Sequence, residues 1–233
     1  MPKTIAEELA EKTFRELAEP EKPTQRSRMS QTPNGYIHLI AWSNASLLRI
    51  FVRAFTKTLP QGEHRLKAQL DDAARSVVAN IEEGYSRPTT SSYLDFLGYS
   101  QASLIEVKGD VQRSLQDGFL LSSPGSSLQS MGIDLRLWHE SLKQSVISKG
   151  VYRNIEEIKG KYQSPLQSFR FLYDPVDTLR AKNLTYEIFI ELINKTDWNL
   201  RKLVSSLESK LGREQKFYQV EQARIKSNLH WNR

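Results

Sequence analysis

The side chains best suited to a chemical task lie along the last forty residues. Lys195, Arg201, Lys202, Lys210, Arg213, Lys216, Arg224 and Lys226 recur there, with Trp198, Phe217, Tyr218 and Trp231 among them. Lysine and arginine meet phosphates, and aromatic rings stack on unpaired bases. The pattern suits a nucleic-acid-binding surface. It also suits a plainer role, with Arg201 and Lys202 on the solvated side of a helix and the aromatics in a core or an interface. Residue type and spacing leave both readings open.

Other chemistries find little support. Cysteine is absent, which excludes disulfides, thiol catalysis and thiolate-held metals. His38, His64, His139 and His230 show no ligand spacing, and no Glu-x-x-His of the kind that di-iron bundles require occurs. Neither Gly-x-Ser-x-Gly, nor a phosphate loop, nor Gly-x-Gly-x-x-Gly is present. The carboxylates with a conceivable acid–base role are Glu83 and Glu106, near Asn80. The structural alternative has Asn80 bonding a facing helix, since a buried amide needs partners. Glu83 and Glu106 would then point inward or reach Arg75 or Lys108. The expectation is a protein without catalytic residues, metal or cofactor.

Composition points the same way. The chain of 233 residues carries a net charge of +6. Residues 1–122 are balanced, whereas 182–233 hold ten basic against six acidic side chains. A basic end implies an anionic partner. Nine prolines and eleven glycines are few for an all-β fold and favour long helices. The charged N-terminal stretch lacks an apolar leader core. No run nears the roughly 18 apolar residues of a membrane span. A cytoplasmic protein with no membrane association is expected.

Those side chains must be positioned by helices. Residues 1–34 read as an arm, with a short amphipathic helix at 3–19 and a proline-containing linker. Three helices are expected within 35–122. The first runs from about Tyr36 to Leu59, with Asn44 in its stripe beside Ile40, Leu47, Leu48 and Phe51. The second begins near Arg65 and is buried through Leu70, Val77, Val78 and Ile81. Gly84 is expected to take the left-handed conformation that closes it, and Pro88 cannot continue it. A Thr or Ser of "PTTSSYLDFL" then caps a third helix over 90–118. Leu94, Leu97, Gln101, Leu104, Lys108, Val111 and Leu115 alternate by three and four, a heptad seam with two polar members. Such members often select register or oligomer state.

Residues 123–181 read as an inserted helical and irregular segment, with Leu135, Trp138, Leu142 and Val146 on one side of a helix. A closing helix spans 182–212, striped by Ile188, Leu192, Ile193, Thr196, Leu200, Leu203, Leu207 and Leu211. A basic tail, 213–233, follows it. Each stripe must be buried, so the helices must pack. The fold expected is all-α, an antiparallel up-down four-helix bundle with an N-terminal arm and an insertion before its last helix.

The stretch "VVANIEEGYSRPTTSSYLDFLGYSQASLIEVKGD" adds a resemblance. Its motifs are Asn80-Ile81-Glu82-Glu83-Gly84-Tyr85, Phe96-Leu97 and Ser103-Leu104-Ile105-Glu106. They resemble, in order and spacing, the bacterial four-helix-bundle family named for the 23S rRNA intervening-sequence protein. That family also includes the accessory variability protein of diversity-generating retroelements. The arm and the insert resemble its longer members. The resemblance implies a homo-oligomer, often a pentameric ring. In the retroelement relative it implies a basic ring that works with RNA and a reverse transcriptase. The expected partners are therefore other copies of the chain, RNA or DNA, and such an enzyme. A protein-interaction module that binds no nucleic acid is the alternative.

Overall fold

Apolar residues three and four apart decide where the helices of this chain form. A computed structural model describes residues 34–153 and 183–231. The expected arm helix at 3–19, and 154–182 of the expected insertion, lie outside the described residues. Among the described residues five α-helices form: α1 (Ile40–Thr56), α2 (His64–Ser86), α3 (Thr90–Gln116), α4 (Leu135–Arg153) and α5 (Tyr186–Trp231). Among the described residues there is no strand, only an isolated bridge between Leu121 and Thr185. No helix of the described residues is long and apolar enough to cross a membrane.

The chain divides into two compact units, with the division inside α5 between Leu207 and Glu208. In the first, α1, α2, α3 and α5 pack together as in a bundle around one apolar cluster. Ile81 and Leu104 are buried in it, and Leu203 packs against it. The Trp42 indole N–H donates to Glu82 (2.7 Å), and the Thr56 hydroxyl donates to Asp71 (3.1 Å). These bonds join the two ends of α1 to α2, so the pair runs antiparallel. Phe189 of α5 meets Phe51 and Phe55 of α1 edge-on, with centroids 6.1 and 5.9 Å apart. Helix α4 docks through Trp138, whose indole N–H donates to the Ser43 carbonyl (2.7 Å).

The tightest join is between α2 and α3. Gly84 is not a left-handed cap: it lies inside α2, and positive φ among the described glycines occurs only at Gly118, Gly125 and Gly132. What its position requires is the absence of a side chain. A Cβ there would come within 2.7 Å of Tyr93 Cδ2 and 2.8 Å of Phe96 Cβ. The turn is made after Ser86, and Thr89 caps α3 by accepting from the Ser92 amide (3.1 Å). Further along, the Ser100 hydroxyl donates to the Val77 carbonyl (2.9 Å). That bond brings the middle of one helix to the middle of the other.

This contact also corrects the expected seam. The buried row of α3 is Tyr93, Leu97, Ser100, Leu104, Val107, Val111 and Ser114. Gln101 is half-buried and Lys108 exposed. Two heptad registers share Leu97, Leu104 and Val111, and sequence alone cannot separate them. The small hydroxyls at 100 and 114 win because they let α3 approach closely and bond backbone carbonyls of Val77 and Asp110. Gln101 and Lys108 are therefore not polar members of the core seam.

The start of α5 is tied to the loop after α3. Ser122 Oγ and the Ser123 amide (2.9 Å) donate to Glu187, and the Leu128 amide donates to Glu191 (2.7 Å). Burial alone would raise the Glu187 carboxyl. The donors Ser122 and Ser123, then its own amide and Thr185, outweigh this and hold it down to about 2, against an ordinary 4.5.

These joins can be tested by their effect on stability. Gly84→Ala should lower the melting temperature by thermal circular dichroism, because overpacking costs typically about 1–3 kcal/mol. Gly98→Ala, in α3 and with open space around it, should raise it, because alanine gains about 1 kcal/mol over glycine in a helix. For Glu187 the folded pKa lies below the unfolded one. Its contribution is therefore present above pH 4.5 and lost as pH falls towards 2. Glu187→Gln should flatten the dependence of the urea midpoint on pH across that window.

Candidate nucleic-acid interface

Helix α5 carries the cations singled out by the sequence. In the first unit, Lys195 and Lys202 stand a heptad apart, with Trp198 between them on the same side. Lys195 pairs with Glu191 (2.5 Å) and Arg201 with Asp197 (2.8 Å), each one turn back along the helix. The Lys202 ammonium stands 3.8 Å from the centroid of the Trp198 ring. Exposed pairs of this kind are worth about 0–1 kcal/mol, so an incoming phosphate can compete for either cation.

The second unit is described by itself. Lys210 pairs with Glu214 (3.6 Å), and Arg213 Nε donates to the Ser209 carbonyl (3.4 Å). Lys216 and Arg224 are exposed, as are Phe217 and Tyr218. The side chains of Lys226 and Trp231 lie outside the described residues.

The family-like motif residues are structural. Ile81, Leu97 and Leu104 are buried, and Asn80, Tyr85, Phe96 and Ser103 half-buried. Tyr85 sits in a chain of edge-on rings, 6.3 Å from Tyr36 and 6.1 Å from Tyr93 by centroid. Glu83 does not point inward. It is exposed and pairs with Arg87, whose guanidinium lies 4.3 Å over Phe96. Glu106 is exposed too, and Arg75 pairs with Asp72 (3.6 Å) instead. The two carboxylates therefore form no site with Asn80. Among the described residues no group of His, Asp or Glu could hold a metal.

The buried asparagine of functional interest is Asn44, one of the residues assigned to the α1 stripe. It is 1% exposed, and its Oδ1 has no hydrogen-bond partner. It lines an open groove of about 430 Å³ with Ile40, Leu135, Asn194, Lys195, Trp198 and Asn199. Trp198 is 56% exposed and Ile40 50%. An indole, two aliphatic side chains, three carboxamides and an ammonium thus share one concavity. The signal available in the sequence was an amide inside an otherwise apolar stripe. The α5 half of the groove carries no local mark, because it exists only once α5 packs beside α1.

A buried carboxylate and a half-buried imidazole stand apart from this groove's lining. Asp110 is 1% exposed; one oxygen accepts from Arg113 (2.5 Å) and the other has no partner. His139 contacts the Ser43 hydroxyl (3.0 Å). Burial pushes its imidazole below the ordinary 6.5; Glu140 opposes this, and Lys143 and His38 add to it.

Comparison with known proteins gives one family. Residues 38–136 match the family model described as 23S rRNA-intervening sequence protein. That span contains α1, α2 and α3 and reaches the start of α4. No curated protein and no solved structure matches the chain.

A buried acceptor without a partner costs about 1–3 kcal/mol. Asn44→Leu, similar in size and apolar, should therefore keep or raise the melting temperature. A fall of several degrees would show that Asn44 is satisfied in the folded chain.

Proposed function

We propose that this chain is a non-enzymatic, self-assembling helical protein that associates with nucleic acid as an accessory or scaffold of a ribonucleoprotein. The observation that carries the reading is the row of exposed cations on α5, within a C-terminal stretch holding ten basic and six acidic side chains. The family match over 38–136 is compatible with a setting near RNA, though a family description assigns no activity. In the fuller form of the proposal, the chain is a long variant of that family, akin to the accessory variability protein of diversity-generating retroelements. Its fold would be an antiparallel up-down four-helix bundle. The arm at 1–34 and the insertion at 123–181 would be additions to it, with 182–212 closing it and 213–233 a basic tail. Copies would assemble into a small cytoplasmic ring, such as a pentamer, serving a reverse transcriptase or another nucleic-acid enzyme.

A second reading has an observation of its own. Tyr99 and Ile105 of α3 are 57% and 69% exposed, and large apolar side chains turned outward fit a protein partner. On that reading the chain is a protein-interaction or assembly module, and its basic end is ordinary surface.

Salt separates the two. Binding to single-stranded RNA should weaken linearly in log affinity against log salt, with about 0.7 of slope for each phosphate met. Charge reversal at Arg201, Lys202, Arg213 and Lys216 should reduce that slope by about 3 while the helical circular dichroism stays unchanged. Absence of binding at low salt, or binding indifferent to salt, rejects the nucleic-acid role. Self-assembly is checked independently by light scattering: the proposal requires a multiple of the 26.8 kDa chain mass, and a monomer at micromolar concentration rejects it.

A further inference from the structure

We infer that residues 3–19 dock as an amphipathic helix along the exposed apolar side of α5 beyond Leu207, with the carboxylates of the arm facing the cations of the tail. This docking is independent of the nucleic-acid reading. Its occupant is the chain's own N-terminal segment, which lies outside the described residues.

The far part of α5 has a surface suited to a partner. Residues 213–220 are helical, and every one of them is exposed. Short helices are marginal in water unless an apolar face is buried against something, so a stretch this exposed needs a cover. The face to be covered is present. Phe217 and Val220 are 57% and 69% exposed. Arg213 lies one turn before Phe217 and Arg224 one turn after Val220. These four positions share one side of the helix, a pair of large apolar side chains with a cation at each end. Apolar side chains turned outward in this way mark a docking surface, and the flanking cations fit a partner that carries acids beside its apolar residues.

Residues 3–19 have the complementary pattern. Ile5, Leu9, Phe14 and Leu17 fall at helical spacing. The segment holds five acidic and three basic side chains, whereas residues 208–233 hold six basic and three acidic. Opposite signs favour arm against tail. Tail against tail in two copies would set like charges together. Length fits as well: a helix over 3–19 spans about 25 Å, the same as α5 from Leu207 to Arg224.

The course of the chain brings the two segments within reach. Phe189 packs on Phe51 and Phe55, while Trp198 and Asn199 line a groove with Ile40. Helix α5 therefore runs antiparallel to α1, and the segment before α1 leaves the bundle at the end where α5 leaves it. The 14 residues 20–33 reach up to about 46 Å, ample for the arm to turn back along α5.

The test uses the full chain. Phe14→Asp places a charge on the apolar side of the arm. The amides of 213–224 should then exchange with deuterium about tenfold faster, the least expected from losing one buried large apolar side chain. Those of α2 and α3 should keep their rates. Because the chain has no cysteine, engineered thiols give a second readout. A short bismaleimide should join Leu9→Cys to Val220→Cys faster than it joins Glu8→Cys to Val220→Cys, and the product should have the mass of one chain. Glu8 has the same reach along the chain but lies off the apolar stripe, so reach alone would join both pairs equally. Equal rates, or exchange at 213–224 unmoved by Phe14→Asp, overturns the docking. Links between two chains assign the surface to a second copy and overturn it too. If Phe14→Asp also loosens α2 and α3, the thiol pairs decide alone. Binding of RNA and its salt dependence are measured separately, so failure of the docking leaves that role as it stands.

Discussion

The α2–α3 contact at Gly84 constrains everything around it. Two helices carrying ordinary side chains pack with axes about 8–10 Å apart, depending on the residues between them. Here Tyr93 and Phe96 lie where the Cβ of residue 84 would be, so the pair closes at its turn end. Ser100 then reaches the Val77 carbonyl, and the close approach persists along the helices. The register of α3 follows. Only the row through Tyr93, Ser100, Val107 and Ser114 places small side chains where the backbones come near, and it turns Lys108 to solvent.

The rest of the interior is built on that pair. Tyr93 extends an edge-on chain of rings through Tyr85 and Tyr36 to Trp42 of α1, and the Trp42 indole N–H bonds Glu82 of α2. Such ring pairs are worth about 0.5–1.5 kcal/mol beyond the area they bury. They explain why a run of aromatic and acidic residues recurs around the turn without any reaction to perform. The motif that first marks the sequence out is thus a packing device. Its Glu83 is spent on Arg87 at the surface, and its Gly84 on proximity.

How far the sequence discloses this depends on range. Helix existence was legible, because 3.6-residue periodicity is a local signal, and four of the five helices follow the expected stripes closely. The boundaries shifted by a few residues, as at Ile40, where a short 3-10 turn at Gly35–His38 replaces the expected first turn of α1. The role of Gly84 was not legible. A glycine ahead of a proline reads as a stop signal, whereas the operative fact is a tyrosine nine residues later folding back onto it. The α3 seam was ambiguous in principle, since two registers share three leucine and valine positions. The candidate surface divides in the same way. Cations along α5 are visible to composition, but the partnering of Lys195 with Glu191 and of Arg201 with Asp197 depends on rotamers. The groove at Asn44 needs α1 and α5 side by side.

That groove departs from the pattern of the rest. Several polar groups that enter the bundle interior are bonded, Ser100 to Val77, Ser114 to Asp110, Thr196 to Leu192 and Trp138 to Ser43, whereas Asn44 shares with one Asp110 oxygen the lack of a partner. A chain able to satisfy those groups could as readily carry leucine at position 44, where Leu47, Leu48 and Phe51 already share the same helix. An amide kept there with an open acceptor is a local sacrifice of stability, and such sacrifices gather at sites that bind something. Trp198 repeats the argument from the solvent side, since a bundle gains nothing by leaving an indole in water. Both departures line one concavity, and the cations on either side of Trp198 give that concavity the sign of charge a nucleic-acid strand would need. Of the two, only the exposed indole can meet a ligand directly, because Asn44 Oδ1 is sealed from solvent.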